Sequence, residues 1–143
     1  ALQFVTITLV GGVICQPLIG ILLDRMNKRL LMNIAVFCTF ICPIIIGVFL
    51  GNFYLVALSC FIWGGAASGI FSISLTMLGE RYTASQVAGA TAILVMVFEC
   101  GSLIGPLIGG RVMDIFGPIG FIYTIVFFTF IFLMISIYRT IRN

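Results

Sequence analysis

Glu99 is the residue in this sequence whose type and position are most able to do chemistry. It is the one charged residue in the long apolar stretch 84–110. A carboxylate in the middle of a lipid-embedded helix costs about 2.5–3.5 kcal/mol, so its side chain should face protein or a water-filled cavity. We interpret it as a candidate proton-coupling or solute-binding carboxylate. A protonated, hydrogen-bonded structural glutamate is the alternative.

Four uncharged residues in other apolar stretches are weaker candidates for a cavity lining. Gln16 follows Gly12 by four residues and precedes Gly20 by four, which places all three on one helix face. Its amide could line a cavity, although an interhelical hydrogen bond is the favoured interpretation. The remaining candidates are Trp63, Ser68 and Ser72. For the tryptophan, an interfacial or packing role is favoured.

The residue types that most enzymes use are missing from the sequence. It has no His, which excludes His-based acid–base catalysis, His metal sites and His-ligated haem. Its five cysteines lie in apolar stretches without a CxxC pair. They are interpreted as small hydrophobes, with redox chemistry as the minor alternative. No P-loop is present and no Ser or Cys has a candidate base, so we predict no catalytic residue, metal site or cofactor.

The composition identifies the surrounding solvent as lipid. Of 143 residues, 62% are hydrophobic and 8% charged, with a mean hydropathy of +1.33, whereas about a quarter of the residues in a soluble domain are charged. The net charge of +3 is too small and scattered for a nucleic-acid partner. The apolar stretches match the ~20 residues of a membrane-spanning helix and lack the alternation of a barrel strand. The predicted fold is an all-α membrane protein, one domain over 1–143 with transmembrane helices at about 1–23, 30–50, 53–78, 84–110 and 121–138.

Basic residues set the expected orientation of these five helices. The first loop, the third loop and the C-terminal tail lie on one side, and they hold six of the seven Lys and Arg residues. That side is predicted to be cytoplasmic, which places the C-terminus inside and the N-terminus outside. The first stretch lacks the basic region and cleavage site of a signal peptide. An odd helix count and a start inside a span suggest a piece of a larger protein.

Small residues indicate which helices pack closely. Segments one, three and four are rich in glycine, and segments three and four contain glycines four residues apart. The four-residue spacings are Gly65 and Gly69 in segment three, and Gly101, Gly105 and Gly109 in segment four. Such spacing lets membrane helices approach each other, so these segments are expected to be inner helices, with segments two and five facing lipid. Pro106 is expected to kink the fourth segment.

A short charged hairpin separates the first two apolar stretches. It reads Gly20-Ile-Leu-Leu-Asp24-Arg25-Met-Asn27-Lys28-Arg29, and from charge alone it is an ordinary basic anchor. Asn27 can adopt the left-handed conformation of a turn. The hairpin resembles the signature loop of the major facilitator superfamily, Gly-x-x-x-Asp-Arg-x-Gly-Arg-Arg, with Asn27 in place of the usual Gly. The resemblance implies a cytoplasmic gate latch formed by Gly20, Asp24, Arg25, Lys28 and Arg29.

Further motifs resembling that superfamily follow in order. The segment 101–110, with Pro106 between its glycines, resembles the end of the Gly-Pro motif in helix five of antiporters and often in helix eleven. Glycine packing alone is the alternative, and Ala92 stands where the fuller motif has a glycine, so antiport does not follow. Segments 63–69 and 79–82 resemble the tenth helix and the loop after it. The order implies helices eight to twelve, most of the second half, and helices two to six are the alternative.

The resemblance implies a secondary transporter that moves a small solute by alternating access. Its expected partners are a small-molecule substrate, protons where transport is coupled, the lipid bilayer and the missing N-terminal helices. The expected location is the bacterial cytoplasmic membrane. Five helices alone cannot enclose a path that the family builds between two six-helix halves. The alternative is therefore a non-transporting membrane protein, such as an assembly or receptor component.

Overall fold

The computed structural model describes residues 2–142 as five helices joined by short turns. These helices are α1 (Leu2–Arg25), α2 (Lys28–Val48), α3 (Phe53–Arg81), α4 (Ala84–Phe116) and α5 (Ile119–Arg142). Each is long and apolar enough to cross a membrane, and the described part of the chain contains no strand. The predicted fold class, an all-helical membrane bundle of five helices, is confirmed.

Asparagine side chains cap the first turns of two helices. At the start of α2, the Asn27 side-chain oxygen accepts a hydrogen bond from the backbone N–H of Arg29 at 2.9 Å. At the start of α3, Asn52 accepts one from the N–H of Leu55 at 3.3 Å. The expectation of a left-handed Asn27 is wrong. Its φ is −61°, because a capping residue takes an extended backbone while its side chain bonds the first turn.

The helix α4 begins at a side-chain hydrogen bond and ends at a glycine turn. At its start, the backbone N–H of Thr83 donates to the Gln86 side-chain oxygen at 3.5 Å, which is one of the two hydrogen bonds of a capping box. At its end, α4 runs on to Phe116 rather than stopping near residue 110. The turn that follows contains Gly117 with a φ of 71°, a value that residues with a side chain rarely adopt.

The bundle is organised around α3. This helix packs against α1 and α2, and α5 packs against α2 and α4, whereas the contact between α3 and α4 is smaller. The buried residues of α3 are Val56, Ser59, Cys60, Gly64, Gly65, Gly69 and Ile73. In α4, Gly109 is the one buried residue among those the structure describes. The core is therefore concentrated on the α1–α3–α2 side.

Glycines bring the backbones of α1 and α3 into direct contact. A Cβ atom added at Gly11 would lie 2.8 Å from the carbonyl carbon of Phe61, and one added at Gly64 would lie 2.7 Å from that of Thr8. Both distances are shorter than real Cβ contacts allow. The interface therefore has a glycine on each helix facing the backbone of the other, which is how membrane helices gain close van der Waals packing.

The expectation that segment two faces lipid holds for only one side of α2. The side between α3 and α5 is buried, and it includes Val36 and Cys42. On this side the rings of Phe40 and Phe130 lie 5.8 Å apart, joining α2 to α5. The opposite side is exposed at Ile34. Glycine content predicted close packing for segments one, three and four without saying which of them meet, and α2, which packs through larger side chains, gave no such signal.

Candidate functional site

The turn between α1 and α2 is joined to the end of α3 by an ion pair. The Nζ atom of Lys28, the first residue of α2, donates to the Oε1 atom of Glu80 near the end of α3. The two side chains are 26% and 58% exposed. A pair this exposed contributes about 0–1 kcal/mol to stability. Its main consequence is geometric, because it links the two turns at this end of the bundle.

The other residues of the predicted gate latch stand apart from this pair. Asp24, Arg25 and Arg29 are exposed, and their side chains form no hydrogen bond or ion pair within residues 2–142. A Cβ atom added at Gly20 would meet no atom of the described residues within 4 Å. Of the five predicted latch residues, Lys28 is the one whose side chain forms a polar contact within residues 2–142, and the sequence reasoning did not include its partner.

A second polar contact at the same end joins α2 to α5. The hydroxyl of Ser136 donates to the Asn33 side-chain oxygen at 2.5 Å, and the Asn33 amide nitrogen donates to the hydroxyl of Thr140 at 3.1 Å. Thr140 in turn donates to the Ser136 carbonyl at 3.0 Å. Sequence reasoning missed this cluster. Its signal was an asparagine in an apolar segment and two hydroxyl residues four apart on another helix.

A groove between α1 and α3 brings together three of the candidate pathway residues, Gln16, Trp63 and Ser68. Its volume is about 550 Å³, and the small residues Gly12 and Gly64 form part of its wall. The Ser68 hydroxyl spans the two helices, with its oxygen 3.2 Å from the Gly12 carbonyl oxygen. The side chains of Gln16 and Trp63 form no hydrogen bond within the described residues. The groove therefore holds polar groups that the bundle itself leaves unsatisfied.

Ser72 and Glu99 lie outside the groove. The Ser72 hydroxyl donates within its own helix, to the Ser68 carbonyl at 3.5 Å. Glu99 is exposed on α4, and its carboxylate has no hydrogen-bond or ion-pair partner in the part of the chain that the structure describes. The residue before it, Phe98, contacts Phe71 of α3 with ring centroids 5.2 Å apart. Glu99 is therefore next in sequence to a residue that joins α3 to α4, but its own side chain is not covered by any of these five helices.

The two glycine motifs have different surroundings. In α3, a Cβ atom added at Gly65 would lie 2.7 Å from the Cβ of Cys15, so this motif lies against α1. A Cβ added at Gly69 would lie 2.5 Å from the side chain of Ile19 on the same helix. In α4, only one of the three motif glycines, Gly109, has such a neighbour among residues 2–142, the ring of Phe121 at 3.1 Å.

The remaining part of the α4 motif has no partner helix within the described chain. A Cβ atom added at Gly101 or Gly105 would meet no atom within 4 Å. Pro106 is exposed, and α4 is assigned as one continuous helix through it. Close packing of this part of α4 therefore stays a prediction about contacts with helices other than these five.

The chain is similar to known membrane transporters over most of its length. A family model described as Major Facilitator Superfamily matches residues 3–142. An uncharacterized MFS-type transporter of Yersinia enterocolitica is 31% identical over 104 residues, which cover 73% of this chain and 26% of the relative. An uncharacterized MFS-type transporter of Bacillus subtilis is 26% identical over 116 residues, which cover 81% of this chain and 29% of the relative. The match thus spans under a third of each curated relative. No solved structure matches the chain.

Proposed function

The chain belongs to the major facilitator superfamily and is an integral membrane protein, and we propose that it forms helices eight to twelve of a secondary transporter. The family match over residues 3–142 supports the transporter part of this proposal, and the order of the motifs supports helices eight to twelve rather than two to six. The transporter moves a small solute by alternating access, in which two helical bundles rock about a central site. The membrane is the bacterial cytoplasmic membrane, with the C-terminus inside, as the bias of basic residues indicates.

The end of the bundle that carries the Lys28–Glu80 pair is the cytoplasmic gate. The pair and the Asn33 cluster link α2 to α3 and to α5, so the turns at this end move together with the bundle. A rigid end suits a bundle that rocks as one body. The exposed charges of the neighbouring latch residues remain available for the other half of the transporter.

The solute path runs along the uncovered polar groups. The α1–α3 groove supplies Gln16 and Trp63, and α4 supplies the uncovered carboxylate of Glu99. Ionisable residues inside a membrane face protein or water and commonly mark ion or substrate pathways. We therefore assign proton coupling to Glu99 and solute contact to the groove.

The test of this proposal is transport by the full-length parent protein reconstituted in lipid vesicles. A panel of radiolabelled sugars, amino acids, drugs and ions is screened with and without an inward proton gradient. We expect one class of solute to accumulate, and to accumulate more with the gradient. If no solute moves under either condition, the proposal fails in favour of a non-transporting assembly or receptor component. Gradient-independent uptake would support transport and contradict proton coupling.

Reversing the charge of Lys28 is expected to slow transport, and reversing both charges should restore it. Lys28→Glu places two carboxylates together and separates the turns, whereas Lys28→Glu combined with Glu80→Lys re-forms the pair with opposite polarity. Because an exposed pair is worth about 0–1 kcal/mol, the single variant should lose up to about fivefold in rate. The measurement is initial uptake rate in vesicles. Arg81→Glu is the control, since it changes a neighbouring charge that has no side-chain partner within residues 2–142. A double variant no better than the single one contradicts the role of the pair.

A further inference from the structure

The groove between α1 and α3 has no charged side chain in its lining. Its walls combine one indole ring, one amide, hydroxyl groups and small residues, including Gly12, Gly64 and Ala67. A volume of about 550 Å³ falls within the range of roughly 300–1,000 Å³ that is usual for small-molecule sites. A mainly apolar lining with a few polar groups is also typical of such sites. These features suit a bound small molecule.

Two side chains in the groove have unused hydrogen-bonding capacity. The Trp63 indole N–H is a donor, and the Gln16 amide offers two donor hydrogens and an acceptor oxygen. Neither has a partner within residues 2–142. The Ser68 hydroxyl already donates to backbone carbonyls, at 3.2 Å to Gly12 and 3.0 Å to Gly65, so its remaining capacity is as an acceptor. The groove can therefore both donate to and accept from a neutral polar group.

The lining that residues 2–142 supply carries no charge, and this favours neutral solutes at this wall of the site. An ion brought into a membrane interior needs a counter-charge, because desolvation of an unpaired charge is expensive. None lines the groove within residues 2–142. Hydroxyl or amide groups of a neutral solute, in contrast, would replace their water contacts with hydrogen bonds to Gln16, Trp63 and Ser68, while an apolar face of the solute packs against the indole ring.

We propose that this groove is part of the solute-binding site and that it accepts an uncharged, hydrogen-bonding solute. The proposal rests on the proposed transport function and adds the charge class of the substrate. It assigns Gln16 and Trp63 direct contact with the solute. Glu99 lies outside the groove. In this proposal its carboxylate couples transport to protons and does not pair with the solute.

The first test measures the charge preference of the groove without any transport. The full-length protein has its native cysteines replaced and a single cysteine introduced by Ala67→Cys, at the groove wall. The probes are three methanethiosulfonates with the same reacting group, namely the neutral hydroxyethyl, the cationic trimethylammonioethyl and the anionic sulfonatoethyl reagents. We expect the neutral probe to react at least about tenfold faster than either ion, relative to the same rates at a Ser85→Cys control outside the groove.

Two results of this labelling would overturn the proposal. If Ala67→Cys reacts with none of the three probes, a helix or lipid fills the groove. Each rate at Ala67→Cys is divided by the rate of the same probe at the Ser85→Cys control. If this ratio is as large for either charged probe as for the neutral probe, the groove does not select uncharged molecules.

The second test uses the solute identified by the vesicle screen. Gln16→Leu should raise KM about three- to tenfold with little change in kcat, because one neutral hydrogen bond to the solute is lost. Gln3→Leu is the matched control, an exposed glutamine on the same helix but outside the groove. Equal KM values for the two variants, or a charged solute as the transported class, overturn the groove assignment while transport itself stands. Failure of the unmodified protein to transport any solute defeats the proposed function instead, and the labelling test is unaffected by it.

Discussion

Glu99→Gln is expected to abolish proton-driven solute accumulation by the full-length protein while its amount in the membrane stays unchanged. The carboxylate is exposed on α4 and has no hydrogen-bond partner within residues 2–142. Glutamine has nearly the same shape, so packing is preserved, and removal of a charge at this depth does not add to the cost of membrane insertion. What is lost is a group able to take up and release a proton. Without a group that exchanges protons at this position, uptake should no longer respond to the gradient, and the solute should accumulate no further than it does without one.

The assay compares gradient-driven uptake with solute exchange in vesicles that carry no gradient. If Glu99 couples protons, Glu99→Gln loses the first and keeps the second, because exchange needs no net proton movement. If Glu99 binds the solute, both are lost. Asp114→Asn is the matched control, a second carboxylate on α4 near the end of the helix. Undiminished gradient-driven accumulation by Glu99→Gln would show that the residue is a structural glutamate.

The fold could be predicted from the sequence because lipid leaves the chain few choices. Backbone groups in the bilayer must pair within their own segment, so an apolar stretch of about 20 residues becomes a helix. The boundaries were less accurate where charged residues continue a helix. The structure carries α4 through Arg111 and Asp114 to Phe116, because hydropathy marks the apolar part of a helix and not its last polar turns.

The parts of the candidate site that lie on one face of a single helix could be predicted from the sequence. Contacts between residues far apart in the sequence could not. Four-residue spacing placed Gln16 beside Gly12, and both line the same groove. Partners such as Lys28 and Glu80 are 52 residues apart, so helical periodicity holds no information about their contact. The pairing of Asn33 with Ser136, 103 residues apart, was hidden for the same reason.

The surroundings of α4 show a different limit of sequence reasoning. The glycine spacing at Gly101 and Gly105 predicts close packing, but helices α1, α2, α3 and α5 do not cover these residues. A pattern on one helix indicates that a neighbour is needed without saying which helix it is. The match spans under a third of each curated relative, and in the proposed transporter a helix beyond these five would supply this neighbour.

Gly11→Leu is expected to destabilise the protein more than any other single substitution considered for this bundle. A Cβ atom at this position would lie 2.8 Å from the Phe61 carbonyl carbon, and even closer to its oxygen. The obstacle is backbone, so it cannot rotate away, and α1 must separate from α3 to relieve the overlap. Overpacking of this kind typically costs about 1–3 kcal/mol and occasionally more. The larger value is expected here, because separation also removes the contacts of Gly64 with Thr8.

Gly20→Leu is the matched control, because it makes the same chemical change on the same helix where an added Cβ meets no atom of residues 2–142 within 4 Å. Leucine favours a helix over glycine by nearly 1 kcal/mol, so with no overlap the control should be neutral or slightly stabilising. Gly11→Leu should therefore lower the Tm, whereas Gly20→Leu should leave it unchanged or raise it slightly. The measurement is the Tm of the detergent-solubilised full-length protein, with the monodisperse fraction in size-exclusion chromatography. Equal Tm values for the two variants would mean that α1 and α3 do not meet through Gly11, and the groove that their contact forms would lose its basis.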